Sequence, residues 1–245
     1  MDLLFDCGRG VLMRAAAAFA GPTAFATVFL THLHSDHVTD FNDVVTSRWA
    51  LSPAPNPLPV VGPVGTQRFV DRTLEMLADD IGYRLAHHDD LTEGPQVSVR
   101  EVTDGVAFDQ GGVRVVAAPT DHAPVRPTVG YRVTHDGKSV VIAGDTIPCA
   151  GLDELCAGAD VYVQTVVRPS VIEMIPSARL QDVVDYHSSV AQAAQTAARA
   201  GVGTLVLTHP VPPPAPGTEL EWIDEATAHF DGVVHLGTDL LTVTA

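Results

Sequence analysis

The sequence predicts an α/β fold, and three observations carry that reading. Short apolar runs of strand length alternate with helix-length periodic segments through both halves of the chain. Residues of metal-ligand type stand directly after several of those runs, where a sheet presents side chains to a shared site. An apolar fraction of 46% over 245 residues supplies an ordinary globular core, and no run is long enough to span a bilayer. A single domain, 1–245, is therefore expected, with no membrane partner.

Charge and cysteine usage narrow the function classes. Lys plus Arg number 14 against 30 Asp plus Glu, and the formal charge of −16 should repel polyanions. The three cysteines, Cys7, Cys149 and Cys156, are too few and too irregular for a disulfide framework and are read as free thiols in a reducing compartment. The first residues lack the order of a secretory leader, so a cytoplasmic protein is expected.

In chain order, Met1 to Phe5 reads as a strand running into Asp6-Cys7-Gly8-Arg9-Gly10, a tight turn before a helix over Val11 to Ala20. Ala26 to Leu30 is a strand, Val38 to Leu51 a helix, and Ser52 to Pro57 a proline-rich loop. Leu58 to Val61 is a strand and Gly65 to Leu85 a helix with Phe69, Leu74, Leu77 and Ile81 near helical spacing. His87 and His88 fall in a polar patch that no motif frames. Val97 to Ala118 alternates as a meander with a hairpin turn at Asp109-Gln110-Gly111-Gly112, and Thr128 to Thr134 pairs with Ser139 to Ala143 around Asp136-Gly137. Val161 to Val166 is a strand, and Val167 to Tyr186 reads as an irregular, apolar flap. Ser188-Ser189 caps a helix over Val190 to Ala200 that Gly201 ends. Thr204 to Leu207 is a strand, Glu219 to Phe230 a helix, and Val233 to Val243 closes the sheet.

The chemistry is concentrated in Thr31-His32-Leu33-His34-Ser35-Asp36-His37. On a strand extended through Thr31, alternation puts His32 and His34 on one side, where they can grip one ion. Asp36 and His37 follow where the chain turns and are free to address a second. Imidazole and carboxylate are the ligands that zinc and similar ions prefer. Further candidates follow singly after later strands: His122, Asp145 and His209.

The His-x-His-x-Asp-His box, with His122, Gly144-Asp145 and Thr208-His209 in that order, resembles the metallo-beta-lactamase superfamily. Leu4-Phe5-Asp6-Cys7-Gly8, Val60-Val61-Gly62-Pro63, Gly130-Tyr131-Arg132 and Tyr186-His187-Ser188-Ser189 are similar to its ribonuclease Z and arylsulfatase-like branch. The resemblance implies a four-layer αββα sandwich, with strands that normally precede Leu3 missing here. That loss leaves a sheet edge open unless a homodimer covers it. It also implies a ligand set: His32, His34 and His122 on one ion, Asp36, His37 and His209 on the other, and Asp145 bridging. The ions would be two zincs, with other divalent ions such as manganese as alternatives. Asp36 would also orient the attacking hydroxide held between the metals, and His187, not a ligand, would donate a proton to the leaving oxygen.

Departures from the branch direct the choice of substrate. A tRNA-gripping arm commonly lies between the third histidine and the bridging aspartate, yet only one strand pair separates His122 from Asp145. An acidic residue usual in the branch is replaced by Gln164-Thr165, which removes the carboxylate that would support His187. Arg126 or Arg168 would meet an anionic group. Together with the charge, these points favour a dinuclear hydrolase of a small ester, that is, a phosphodiester, sulfate ester or lactone, with nucleic acid not expected as a partner. The alternatives are a ribonuclease Z-like tRNA 3′-processing endonuclease and a non-catalytic metal-binding interaction module.

Overall fold

Two sheets of different make-up organise the chain in the computed structural model, which describes residues 1–245. They belong to two compact units, residues 1–102 and 103–245.

The first unit holds a four-stranded sheet in the order β1 (Asp2–Phe5), β2 (Phe25–Phe29), β3 (Leu58–Gly62), β4 (Val97–Glu101). Every pairing is parallel, so each connection has to cross over, and helices make the crossings. They are α1 (Val11–Ala17), α2 (Ser35–Val38), α3 (Phe41–Leu51), α4 (Thr66–Met76) and α5 (Ala78–His87). Phe41, Val44, Val45 and Arg48 of α3 are buried at helical spacing, the first three within the unit's apolar core beside Val28, Leu30, Leu58 and Val60. Buried Arg48 donates to the carbonyls of Pro22, Phe25, Asn56 and Pro57 and to Asn56 Oδ1, which fastens the proline-rich loop.

Two expected helices are divided. The segment before Leu51 breaks at Asp40, whose N–H bonds the Cys7 carbonyl at 2.9 Å while its carboxylate accepts from Gly10 N at 2.5 Å. The segment from Gly65 breaks at Leu77, after which Asp79 and Asp80 sit in the first turn of α5 and favour its positive end. The expected meander is also corrected. β4 pairs with β3 in the first sheet, and only the following strands form the hairpin. Alternation identifies a strand without naming its partner.

The second unit carries seven strands in the order β11-β10-β9-β8-β7-β6-β5. These are β5 (Gly105–Gln110), β6 (Val113–Pro119), β7 (Val129–His135), β8 (Lys138–Ile142), β9 (Val161–Val167), β10 (Thr204–Val211) and β11 (Val233–Leu236). β5 to β8 are antiparallel neighbours, and β8 to β11 run parallel. Helices α6 (Ala150–Cys156), α7 (Pro169–Ile172), α8 (Ala178–Gln181), α9 (Val190–Ala200) and α10 (Glu219–Thr227) fill the connections, with a 3-10 turn over Asp182–Tyr186. The irregular stretch expected over 167–186 is thus short helical turns. On α9, Ser189 accepts from Gln192 N while the Gln192 side chain accepts from Ser189 N, a complete capping box, and Gly201 ends the helix at φ 68°. Ala193, Ala194 and Ala197 are fully buried with Leu152, Tyr162, Leu205 and Trp222.

No helix is long and apolar enough to cross a membrane. Cys7, Cys149 and Cys156 are free thiols. Burial pushes the Cys156 thiol up to about 12, so it stays protonated and packs as an apolar group.

Candidate metal centre

In the first unit the strand carrying the histidine loop stops at Phe29, short of the extension to Thr31 that the alternation implied. The loop keeps the pincer nonetheless. His34 has extended backbone (φ −65°, ψ 148°) before the chain turns into α2, and His32 and His34 bring ligand nitrogens within 4.8 Å of each other. The turn into α2 then brings the Asp36 carboxylate and a His37 nitrogen within the same distance. His32 is fully buried and His37 nearly so.

Asp6, a residue the sequence reading passed over, holds this loop. It sits at φ 57°, a left-handed conformation costly for a residue other than glycine. Its carboxylate accepts from Thr31 N at 2.8 Å, from Thr31 Oγ1 at 2.9 Å and from His37 Nδ1 at 2.7 Å. Thr31 Oγ1 in turn accepts from His32 Nδ1 at 3.0 Å, since its own hydrogen is given to Asp6. Both imidazoles are therefore protonated on Nδ1, which turns Nε2 outward as the ligand atom. The neighbouring turn lies close enough that a Cβ on Gly8 would clash with the Asp36 carbonyl oxygen. The glycine-bearing turn thus serves as a brace for the histidine loop. The signal was present in Asp6-Cys7-Gly8, a carboxylate at a strand end before a glycine.

In the second unit the candidates arrive on separate loops. His122 follows β6 and is fully buried, and Asp145 follows β8 after Gly144, which turns at φ 66°. His122 Nε2 lies 3.8 Å from Asp145 Oδ2. His122 Nδ1 donates to the Tyr186 carbonyl at 2.8 Å, which again directs Nε2 to the ligand side. His187 donates from Nδ1 to the Val183 carbonyl at 2.9 Å, and its Nε2 lies 3.2 Å from Asp145 Oδ2. One 3-10 turn therefore orients both rings. Thr146, also missed, ties the loops together. Its hydroxyl accepts from Asp121 N at 3.0 Å, and its carbonyl accepts from Ser188 N and Ser188 Oγ. His209 stands on β10 at φ 47°, where the register with β9 shifts.

Within each unit the donor set fits a divalent ion of zinc type. Imidazole nitrogens and carboxylate oxygens are grouped, and three of the rings have their second nitrogen committed to an oxygen acceptor. Other candidates fall away. His87 and His88 are exposed on and beyond the end of α5. Arg168 is spent on Glu221 (2.6 Å) and Glu225 (3.0 Å) and lies over the Trp222 ring, so it is no free receptor for an anion. Arg126 is exposed, 3.7 Å from Asp121 Oδ1. Gln164 does not touch His187, and the backbone carbonyl of Val183 takes the supporting place.

Residues 2–210 match the family model described as beta-lactamase superfamily domain. The sequence is 58% identical over 239 residues to a Ribonuclease Z of Mycobacterium avium, covering 97% of this chain and 85% of that protein. A Ribonuclease Z of Mycobacterium bovis is 53% identical over the same length, again with 97% and 85% covered. Among solved structures, the metallo-beta-lactamase fold protein YhfI of Bacillus subtilis superposes with a TM-score of 0.72 at 22% identity, covering 97% of this chain and 84% of that one. The short form of human tRNase Z gives 0.64 at 24% identity, with 85% and 81% covered. These two establish the α/β metallo-beta-lactamase fold.

The relatives correct one expectation outright. The short interval between His122 and Asp145, Gln164-Thr165 and the charge of −16 together make nucleic acid an unexpected partner, but the similar proteins are named as ribonucleases. The physical error lies in using a sum. A net charge does not say where on the surface the carboxylates lie, so it does not describe the field at one site. At physiological salt, fields from exposed charges fade over about 8 Å, so distant acidic residues say little about one site. The β7–β8 hairpin fills the interval between His122 and Asp145.

Proposed function

We propose that this chain, which belongs to the metallo-beta-lactamase superfamily and within it to the ribonuclease Z branch, removes 3′ extensions from precursor tRNA. It is a metal-dependent hydrolase acting on phosphodiester bonds. The observation that carries the tRNA reading is the 58% identity over 239 residues to a protein named Ribonuclease Z. That continuity favours the endonuclease over a small ester or an arylsulfate.

By the family resemblance His32, His34 and His122 would hold one ion and Asp36, His37 and His209 a second, with Asp145 as a further ligand. Zinc is proposed from the nitrogen-rich donor set. When bound, two such ions supply positive charge at the scissile phosphodiester and lower the pKa of water. The chain's own residues do the rest. Asp6 keeps His32 and His37 in the tautomer that offers Nε2. Asp36 accepts a hydrogen bond from the attacking water and orients it. His187, its Nδ1–H anchored on the Val183 carbonyl, delivers a proton from Nε2 to the leaving oxygen.

The test is cleavage of a precursor tRNA bearing a 3′ trailer by the zinc-loaded protein, with the cut mapped to the nucleotide. Cleavage at the trailer junction that disappears in His34→Ala is expected. Absence of cleavage by a protein that still hydrolyses a chromogenic phosphodiester would overturn the tRNA reading.

A further inference from the structure

Gln164 is fully buried on β9, and its side chain is engaged at both ends. Oε1 accepts from the Tyr162 hydroxyl at 2.6 Å. Nε2 donates to the Thr165 carbonyl at 2.7 Å and to the Gly144 carbonyl at 3.3 Å. The two carbonyls determine which end is nitrogen, because neither can donate. Tyr162 is itself fully buried, and desolvation raises its pKa well above the ordinary value of 10.0, so its hydroxyl remains a donor.

The bond to Gly144 reaches Asp145 through covalent geometry. The Gly144 carbonyl and the Asp145 N–H share one planar peptide unit, so holding the oxygen holds the nitrogen and Cα of Asp145. That peptide follows Gly144 at φ 66°, where the backbone has no side chain of its own to limit rotation. A separate clamp lies on the far side: Thr146 bonds Asp121 and Ser188. Gln164 is the one side chain bonded to the carbonyl immediately before Asp145. An ionised carboxylate of the same shape would lose both N–H donors and face two carbonyl oxygens instead, so the amide matches this pair of acceptors.

We propose that Gln164 is a positioning residue for Asp145, acting through the Gly144 carbonyl to hold the aspartate in place for metal binding. The proposal rests on the reading of Asp145 as a ligand. It assigns to this residue in the middle of β9 a role toward the aspartate loop, not toward His187.

The experiment measures zinc stoichiometry and affinity by competition with a chromophoric chelator, together with the melting temperature of the zinc-free protein. The set is wild type, Gln164→Glu, Gln164→Met, Asp145→Ala and the core variant Leu205→Ala. Leu205 is fully buried in the same core and makes no bond to the amide. Gln164→Glu and Gln164→Met should weaken zinc binding by about 10–100-fold, the usual cost of losing a group that orients a ligand. Leu205→Ala should lower the melting temperature and leave zinc affinity unchanged. Gln164→Met supplies the reading if the charged variant does not fold. Unchanged zinc affinity in a folded Gln164 variant overturns the proposal, as does an equal loss in Leu205→Ala, which would make the effect one of general stability. If Asp145→Ala binds zinc as tightly as wild type, the ligand assignment falls and takes the proposal with it.

Discussion

The two units present their ligand-type residues by opposite means. In the first, four ligand-type residues lie within six positions, and a single carboxylate, Asp6, orients two of the rings. In the second, His122, Asp145, His187 and His209 come from four loops or strand ends, and the orienting groups are backbone carbonyls, Thr146 and Gln164. A contiguous cluster can be preset by one short turn and one acid. A dispersed set depends on the register of a whole sheet, so its supports are spread through the backbone.

The contrast is tested most severely by removing ligands. His34→Ala and His122→Ala should each abolish detectable hydrolysis, and chelation of the metal should do the same, with zinc stoichiometry falling alongside. If only His34→Ala lost activity, the reading of His122 as a ligand would be in question.

Next in size is His187→Ala. A general acid contributes typically 10²–10⁴-fold, so kcat should fall by about that factor while zinc content and KM hold. Loss of zinc in this variant would make His187 a ligand and remove the distinction drawn between it and His122.

Asp6→Asn sharpens the comparison directly. It should reduce zinc affinity or activity by about 10–100-fold, because the amide cannot serve His37 and Thr31 as the carboxylate does. Thr146→Val, which touches several second-unit loops at once, should instead lower the melting temperature more than it lowers zinc affinity. The reverse ranking would mean that the dispersed half also hangs on one residue.

Smaller effects concern stability alone. Ser189→Ala removes the capping box that starts α9 just after His187, at a cost of about 1 kcal/mol in denaturant unfolding. Asp160, near the start of β9, is held below its ordinary 3.8 by the Lys138 side chain first and the Ser139 backbone second. A depressed carboxylate stabilises the fold fully above that ordinary value and loses its contribution as pH falls through the lower folded one. Asp160→Asn should flatten the acid end of a stability-versus-pH curve and leave zinc binding untouched.

Much of this was legible in the chain itself, for a definite reason. The His-x-His-x-Asp-His box is local, so its meaning survives without a fold, and the capping signals around Val190–Ala200 gave that helix with both ends correct. The alternating strands and the hairpins at Gly111-Gly112 and Asp136-Gly137 depend only on neighbours in sequence. The same locality explains the failures. Alternation at Val97–Glu101 could not say which sheet would take the strand, and net charge could not say where on the surface the charges lie. Sequence by itself determined the class of chemistry and the ligand-type residues. Only the tertiary structure decided that Asp6, Thr146 and the carbonyls of Val183 and Tyr186 orient them, because those contacts join residues up to 64 positions apart and leave no trace in spacing.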